Sequence, residues 1–266
     1  MSKLPGSAER SVPEADAAGF ESRWRQRFGE YASVRDDDAG IAGWTPTGLY
    51  ARVCKFVSLW HGAPSGQFWL DAGCGAGTYT RLLSECGLEV VGVDYSPTTI
   101  AKACARDSSG NVYAVADVRR LPFRTKTFHG VVCFGVTQAL SRSDVLVNEL
   151  AAVVTPGGEL WIDGLNRNCL LHMAGRAGRF IARRRMHLRY ETPAEIMRLM
   201  RNAGLVDVKR YWLPVAPSGM PRLQRFFENP FVSGFLDAVS PLGALASHSF
   251  IVHGRCPSLQ SATKIL

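Results

Sequence analysis

Residues 68–77 read Phe68-Trp69-Leu70-Asp71-Ala72-Gly73-Cys74-Gly75-Ala76-Gly77, an apolar strand running into an acidic, glycine-rich turn. Gly73, Gly75 and Gly77 can take positive φ and let backbone approach a ligand closely. The segment behind them, Thr78 to Cys86, has helical spacing and stops at Gly87. Strand, glycine turn, helix is the layout with which a parallel sheet holds a nucleotide-type ligand at its carboxyl edge. Thr78 stands where a dinucleotide fingerprint wants its third glycine, which weighs against a nicotinamide dinucleotide and for S-adenosylmethionine (SAM). A tight turn with no ligand is the plain alternative, so the residues downstream decide.

Residues 89–94, Glu-Val-Val-Gly-Val-Asp, form a second short strand ending in Asp94, whose carboxylate can accept hydrogen bonds from both hydroxyls of a ribose. Residues 111–117 form a third, again ending in an acid, Asp117; strand-end acids also cap helices, and Ser96 is an equally good cap here. A fourth strand spans 128–134 and ends at Phe134. Thr155-Pro156-Gly157-Gly158 is a turn, and a fifth strand runs from Glu159 to Asp163. As a set, residues 66–166 resemble the class I SAM-dependent methyltransferases, of the small-molecule type with ubiquinone-pathway-like domains. The resemblance implies an α/β, Rossmann-like three-layer sandwich: a seven-stranded, mostly parallel sheet with an antiparallel last strand and an N-terminal helical lid. It implies that Gly73, Gly75 and Gly77 wrap the amino-acid part of SAM, with Cys74 as a small residue of the same turn and Asp71 near the ammonium. It also places Asp94 on the ribose, Asp117 near the adenine amine, and Tyr95 and Val118 against the ring, with Phe134 in the same cofactor-binding set.

The chemistry of such a site is an in-line displacement at a sulfonium methyl. The donor carries its own leaving group, so the protein aligns the acceptor and, for a hydroxyl, removes its proton. Histidines have the pKa for that task, and the candidates are His187, His172 and, more weakly, His129. His187 is preferred because it lies beside Arg189 and Tyr190, although a histidine in an arginine-rich stretch is often only surface. Asp163, Asn166 and Tyr190 can orient the acceptor. Tyr31 and Trp44 are expected nearest the methyl, if the N-terminal aromatic stripe covers the cofactor instead of serving as core. No histidine or acid cluster has metal-ligand spacing, and no metal is expected.

The elements around these residues follow from composition and spacing. With 266 residues and 46% hydrophobic content, one elaborated domain is expected. No apolar stretch of about 18 residues suggests a membrane span, and the N-terminus lacks the apolar core of a secretory signal. Seven cysteines, an odd number with no Cys-x-x-Cys pair, point to a reducing cytoplasm and no structural zinc. Residues 1–18 read as a disordered tail, 19–65 as a helical lid, 66–166 as the SAM-binding core and 167–266 as the rest of the same domain. In the lid, Phe20, Trp24, Phe28 and Tyr31 mark one face of a helix over 19–32, and a second helix begins after Thr47. In the last part, a helix follows Thr192-Pro193, and strands at 205–212 and 248–255 close the sheet as an antiparallel hairpin.

Two insertions bear on the acceptor. Residues 167–190 hold seven arginines and no acid, much of the net charge of +8. They suit either a solvated basic helix or an anionic partner: a phosphorylated or carboxylated acceptor, a glycan- or lipid-linked intermediate, or peripheral contact with an anionic membrane. No motif accompanies the charge to specify nucleic acid. Residues 213–247 read as a long loop whose Phe226, Phe227, Phe231, Phe235 and Leu236 either wall an apolar acceptor pocket or pack as core or a dimer contact. The expected function is SAM-dependent methyl transfer, most simply O-methylation of a small-molecule or carrier-linked acceptor. The alternatives are a SAM-binding scaffold without turnover and, behind it, an NAD-type oxidoreductase.

Overall fold

The computed structural model describes residues 14–181, 188–216 and 220–258. The chain begins with α1 (Glu14–Val34), α2 (Asp38–Ile41) and α3 (Pro46–Leu59). It then enters β1 (Phe68–Ala72), α4 (Thr78–Glu85), β2 (Glu89–Asp94), α5 (Pro97–Arg106), β3 (Val112–Val115), β4 (Phe128–Cys133), α6 (Asp144–Val153) and β5 (Val154–Leu165). After these come α7 (Leu170–Ile181), α8 (Pro193–Asn202), β6 (Val206–Leu213), α9 (Pro221–Glu228), α10 (Pro230–Ala238), α11 (Ser240–Ala246) and β7 (Ser249–Arg255). The seven strands form one sheet in the order β3-β2-β1-β4-β5-β7-β6. β1 to β5 pair in parallel, and β7 runs antiparallel to both β5 and β6. This is the α/β sandwich expected from the sequence.

Alternation along the central strands sends side chains to two separate cores, as the two-residue period of a strand requires. Leu70, Val131, Leu160, Ile162, Phe250 and Val252 pack with Leu146 and Leu150 of α6 and with Ile196 and Met200 of α8. Their neighbours Trp69, Val132, Trp161 and Ile251 face the other way, against Phe56 and Trp60 of α3 and Tyr79 and Leu83 of α4. Phe56 organises that second layer: it stacks on Trp60 at 5.7 Å and meets Trp161 edge-on at 5.3 Å. Aromatic pairs in these geometries add to what area burial alone supplies.

Several boundaries differ from the sequence reading, each for a local reason. The first helix begins at Glu14, so residues 14–18 are not tail; residues 1–13 lie outside the described residues. α3 starts two residues earlier than expected because Thr45 caps it, accepting from the Gly48 N–H at 3.1 Å. The turn at 155–158 survives as a bulge inside β5: Phe128 pairs with Val154 and Gly130 with Glu159, leaving the intervening residues looped out. The largest difference is 213–247, which is not a loop. It carries three short helices, each with proline in its first turn, where the missing N–H costs nothing.

α1 and α2 are tied across the carboxyl edge of the sheet by ionic and hydrogen bonds. Asp38 of α2 accepts from the Thr78 hydroxyl at 2.6 Å and pairs with Arg81, both on α4. Glu21 of α1 accepts from the Ser141 N–H at 3.0 Å and pairs with Arg119. Together α1, α2 and the edge of the sheet enclose a cleft.

Candidate active site

The cleft holds about 790 Å³ of space, part of it open to solvent. Its floor is the glycine turn after β1, where Gly73 and Gly75 have φ of +80° and +53°. The two glycines serve different ends. A Cβ on Gly73 would lie 2.3 Å from Val136 Cγ2, so that glycine permits close packing of the turn on the loop after β4. A Cβ on Gly75 would meet nothing within 4 Å. Gly75 lines the cleft, so its bare backbone is exposed to whatever enters.

Asp94, at the end of β2, also lines the cleft. Its carboxylate accepts from the Gly75 N–H at 3.2 Å and from the Ser96 N–H at 2.9 Å. Burial raises its pKa to about 6, against the smaller opposing pull of the backbone donors of Ser96, Gly75 and Tyr95. Tyr95 and Val118 line the cleft beside it, and the Tyr95 hydroxyl donates to the Arg25 carbonyl at 3.2 Å. Asp117 lines it too, but its carboxylate already meets Arg119 at 2.6 Å and Arg25 at 3.0 Å. Those contacts, the Arg119 side-chain bonds first, hold its pKa below the usual carboxylate range.

Of the remaining cofactor candidates, Phe134 stands in the wall of the cleft. Asp71, Cys74 and Gly77 do not; they support the turn from beneath. Asp71 accepts from the Thr80 hydroxyl at 2.8 Å, and its burial pushes the pKa up to about 7. The Cys74 thiol is buried, which raises its pKa well above the ordinary value and suits packing rather than nucleophilic attack. Gly77 begins α4 with φ +82°, tight against the Tyr113 hydroxyl.

The acceptor-side candidates separate in the same way. Trp44 lines the cleft, whereas Tyr31 is not in its wall; it packs edge-on against Phe28, ring centroids 6.3 Å apart. Trp24 and Phe28, earlier in the same aromatic stripe, are its members that face the space. His172 lies outside the cleft wall, with Nδ1 2.9 Å from the Asn166 carbonyl and Nε2 2.8 Å from His248 Nδ1. A carbonyl only accepts, so His172 Nδ1 carries the hydrogen and both ring nitrogens are engaged inside the protein. His248 is held neutral, its pKa lowered to about 3 by burial first and then by Arg52 and His172. His187 lies outside the described residues, as do Arg183, Arg184 and Arg185. Arg189 is tied down: it pairs with Glu191 at 2.7 Å, and its N–H donates to the Gln138 carbonyl at 3.3 Å. Phe226, Phe231 and Phe235 are exposed on α9 and α10 and, with Phe227 and the buried Leu236, have no place in the cleft wall.

Sequence reasoning missed Glu21, Arg25, Ile41, Val136 and Leu140 in the wall. The aromatic spacing of α1 pointed to that helix, but nothing in the sequence pairs its charges with residues about a hundred positions away.

The residues present fit SAM. The Gly75 backbone borders open space, the Asp94 carboxylate faces the cleft, and the Trp44 Nε1 hydrogen is buried with no partner among the described residues.

Residues 70–162 match the protein family described as methyltransferase domain. The ubiquinone biosynthesis O-methyltransferase of Xanthomonas axonopodis pv. citri is 27% identical over 152 residues, covering 53% of this chain and 64% of that protein. The enzyme of the same name from Coxiella burnetii is 31% identical over 106 residues, 39% of this chain and 45% of that one. The chain therefore spans between about half and two thirds of the length of these relatives. Among solved structures, phosphoethanolamine N-methyltransferase 2 of Haemonchus contortus in complex with SAM superimposes with a TM-score of 0.59 at 19% identity. That match covers 87% of this chain and 60% of the other, and speaks for the fold. Residues 70–162 thus match a methyltransferase domain, set in a fold shared with that SAM-bound enzyme.

Proposed function

We propose that the protein transfers the methyl group of SAM to a small-molecule acceptor, most simply to a hydroxyl oxygen. The observation that carries this reading is the convergence, in one cleft, of the open Gly75 backbone, the Asp94 carboxylate and an aromatic wall of Trp24, Phe28, Trp44 and Phe134. The donor, when bound, supplies an activated methyl and its own leaving group. The chain's residues do the rest: the turn at Gly73–Gly75 receives the amino-acid end, Asp94 accepts from the ribose hydroxyls, and Tyr95 and Val118 flank the ring. Asp117 reaches an adenine amine by exchanging one of its arginine contacts. Asp71, Cys74 and Gly77 hold the turn in shape. Where α1 and α2 cover the cleft they limit water, which strengthens the polar contacts beneath them.

Oxygen as the methylated atom is supported by the likeness to the two O-methyltransferases, and an apolar part on the acceptor by the aromatic wall. An anionic part, including a lipid- or glycan-linked phosphate, rests on the arginines of 176–185. His187 is the proposed base: it lies two residues from Arg189, whose backbone bonds the Gln138 turn between the cleft residues Val136 and Ala139. Tyr31 acts only through Phe28, and His172 only through His248. Cytoplasmic residence is supported by the seven unpaired cysteines; among the described residues no helix is long and apolar enough to cross a membrane.

The test is direct. S-adenosylhomocysteine (SAH) should raise the melting temperature by mass action, and labelled SAM incubated with extract of the source cells should label a low-mass or lipid-extractable product. Tight binding with no transfer to any acceptor fraction would favour the scaffold reading.

A further inference from the structure

The most deeply buried ionic pair among the described residues joins Arg52 of α3 to Asp163 of β5. Arg52 is 3% exposed and Asp163 not at all. Nothing in the cofactor reading uses either charge. Each nitrogen of the guanidinium and each oxygen of the carboxylate nonetheless has a partner. Arg52 Nε donates to Asp163 Oδ2 at 2.9 Å, Nη1 to the Gly48 carbonyl at 3.0 Å and Nη2 to the Ser249 hydroxyl at 2.8 Å. The other carboxylate oxygen of Asp163 accepts from the Gly135 N–H at 2.6 Å. The flat face of the guanidinium lies 4.4 Å from the centre of the Trp44 ring.

Two links therefore run outward from the pair, and both end in the cleft. One passes through the carboxylate to the backbone of Gly135, the other through the guanidinium face to the indole of Trp44; both residues line the space. The links also meet each other. Gly135 has φ +79°, and a Cβ there would fall 2.3 Å from Trp44 Cζ2, so the indole packs directly on that backbone. The position in the sheet tells which part of the site they shape. Gly73, Asp94 and Asp117 follow β1, β2 and β3 on one side of the sheet, whereas Gly135 follows β4, on the β5 side of β1. Trp44 and Gly135 thus form the wall away from the ribose and ring positions.

Stability does not account for the pair. Removing two charges from water costs more than a well-packed apolar pair of the same volume. What the charges supply is direction: a planar fork with three fixed donors, a stacking face, and a carboxylate aimed at one N–H. We propose that Arg52 and Asp163 are positioning residues, whose buried pair sets the Trp44 indole and the Gly135 backbone and so fixes the wall against which the methyl acceptor is held. The inference rests on the reading of the cleft as a SAM site. Methyl transfer needs the acceptor in line with the breaking bond, and displacement of a reacting group by about 1 Å can cost a hundredfold in rate.

The experiment uses full-length protein labelled with 5-fluorotryptophan, the Trp44 resonance being assigned from Trp44→Phe. Single removal of either charge leaves the other buried and unpaired, so the main variant is Arg52→Met combined with Asp163→Leu, which removes both. Arg52→Lys keeps the charge but loses the fork. The wild-type Trp44 resonance should be single and should shift with SAH. In the double variant, SAH should bind within about threefold of wild type, while the Trp44 resonance moves, broadens and ceases to respond. The other five tryptophan signals should hold, and Arg52→Lys should fall between. A folded double variant with the wild-type Trp44 signal and response would overturn the proposal, as would an unchanged signal in Arg52→Lys should the double variant fail to fold. Absence of SAH binding in the wild type would strike the cofactor reading alone, because ligand-free wild type and variant still report where Trp44 sits.

Discussion

At the scale of single residues, Asp94 and the two glycines of the turn make opposite demands on the protein. Burial raises Asp94 from 3.8 to about 6, so the free protein keeps it protonated up to about pH 6. In this respect the free fold is most stable below the unfolded value, and the contribution is lost as pH rises through about 6. A ribose diol donating both hydroxyls wants the carboxylate instead. Binding must then expel a proton at low pH, and SAH affinity should be flat above about pH 6.5 and roughly tenfold weaker at pH 5. Calorimetry in two buffers of different ionisation enthalpy would detect the released proton; constant affinity from pH 5 to 7.5 with no proton release would remove Asp94 from the binding site. The glycines give a second prediction. Gly75→Ala should fold, at a cost of roughly 1–2 kcal/mol for the left-handed backbone, because its Cβ enters open space, yet it should lose about tenfold or more in SAH affinity. Gly73→Ala should instead lower the melting temperature, since its Cβ overlaps Val136. Equal SAH affinity in wild type and Gly75→Ala would mean that the ligand does not approach this backbone.

At the scale of elements, the parts that could be read in advance are those whose signals are local. β1, β2 and β4 were legible within a residue because buried parallel strands are short apolar runs, here closed by acids or glycine. That Gly73, Asp94 and Asp117 meet at one edge of the sheet is legible for the same reason, since they mark strand ends. What was not legible depends on pairs remote in sequence. Glu21 meets Arg119 and Ser141, Arg25 meets Asp117, and Arg52 meets Asp163. No periodicity announces such pairs, so Asp117 was read as open to an adenine amine when two arginines hold it. The helices α9 to α11 are hard to read in the sequence because Pro221, Pro230 and Pro241 interrupt the run as loop residues do, although the first turn is where a helix tolerates proline. The same remote pairs yield a prediction for α1. Glu21→Ala removes the contacts to Arg119 and Ser141 and should loosen the roof by about 1–2 kcal/mol. Tryptic cleavage at Arg23, Arg25 and Arg27 should then accelerate about five- to thirtyfold, with SAH restoring protection. An unchanged cleavage rate would show that α1 is held without Glu21, by Phe20, Trp24 and the contacts of Arg25.

At the scale of the whole molecule, the question is what a net charge of +8 is for. The proposed cofactor gives no reason for it, since SAM is itself cationic and the cleft is lined by Glu21, Asp94 and Asp117. The structure divides the seven arginines of 167–190. Arg167 bonds Glu195 and the Tyr190 carbonyl, and Arg189 bonds Glu191, Ser143 and the Leu140 carbonyl, so both serve the fold at the carboxyl edge of β5. Arg189→Ala should accordingly lower stability, because Glu191 is buried and would lose its counter-charge. The run Arg183, Arg184 and Arg185 lies outside the described residues, and an anionic acceptor would use its charge. Replacing all three with Gln should raise the KM for the acceptor found in the labelling assay and flatten its dependence on salt, because a screened long-range attraction is lost. SAH affinity and melting temperature should stay at wild-type values. If acceptor kinetics are equally unmoved, the run is solvated charge, and the aromatic wall of Trp24, Phe28, Trp44 and Phe134 then points to an acceptor selected by its apolar part alone.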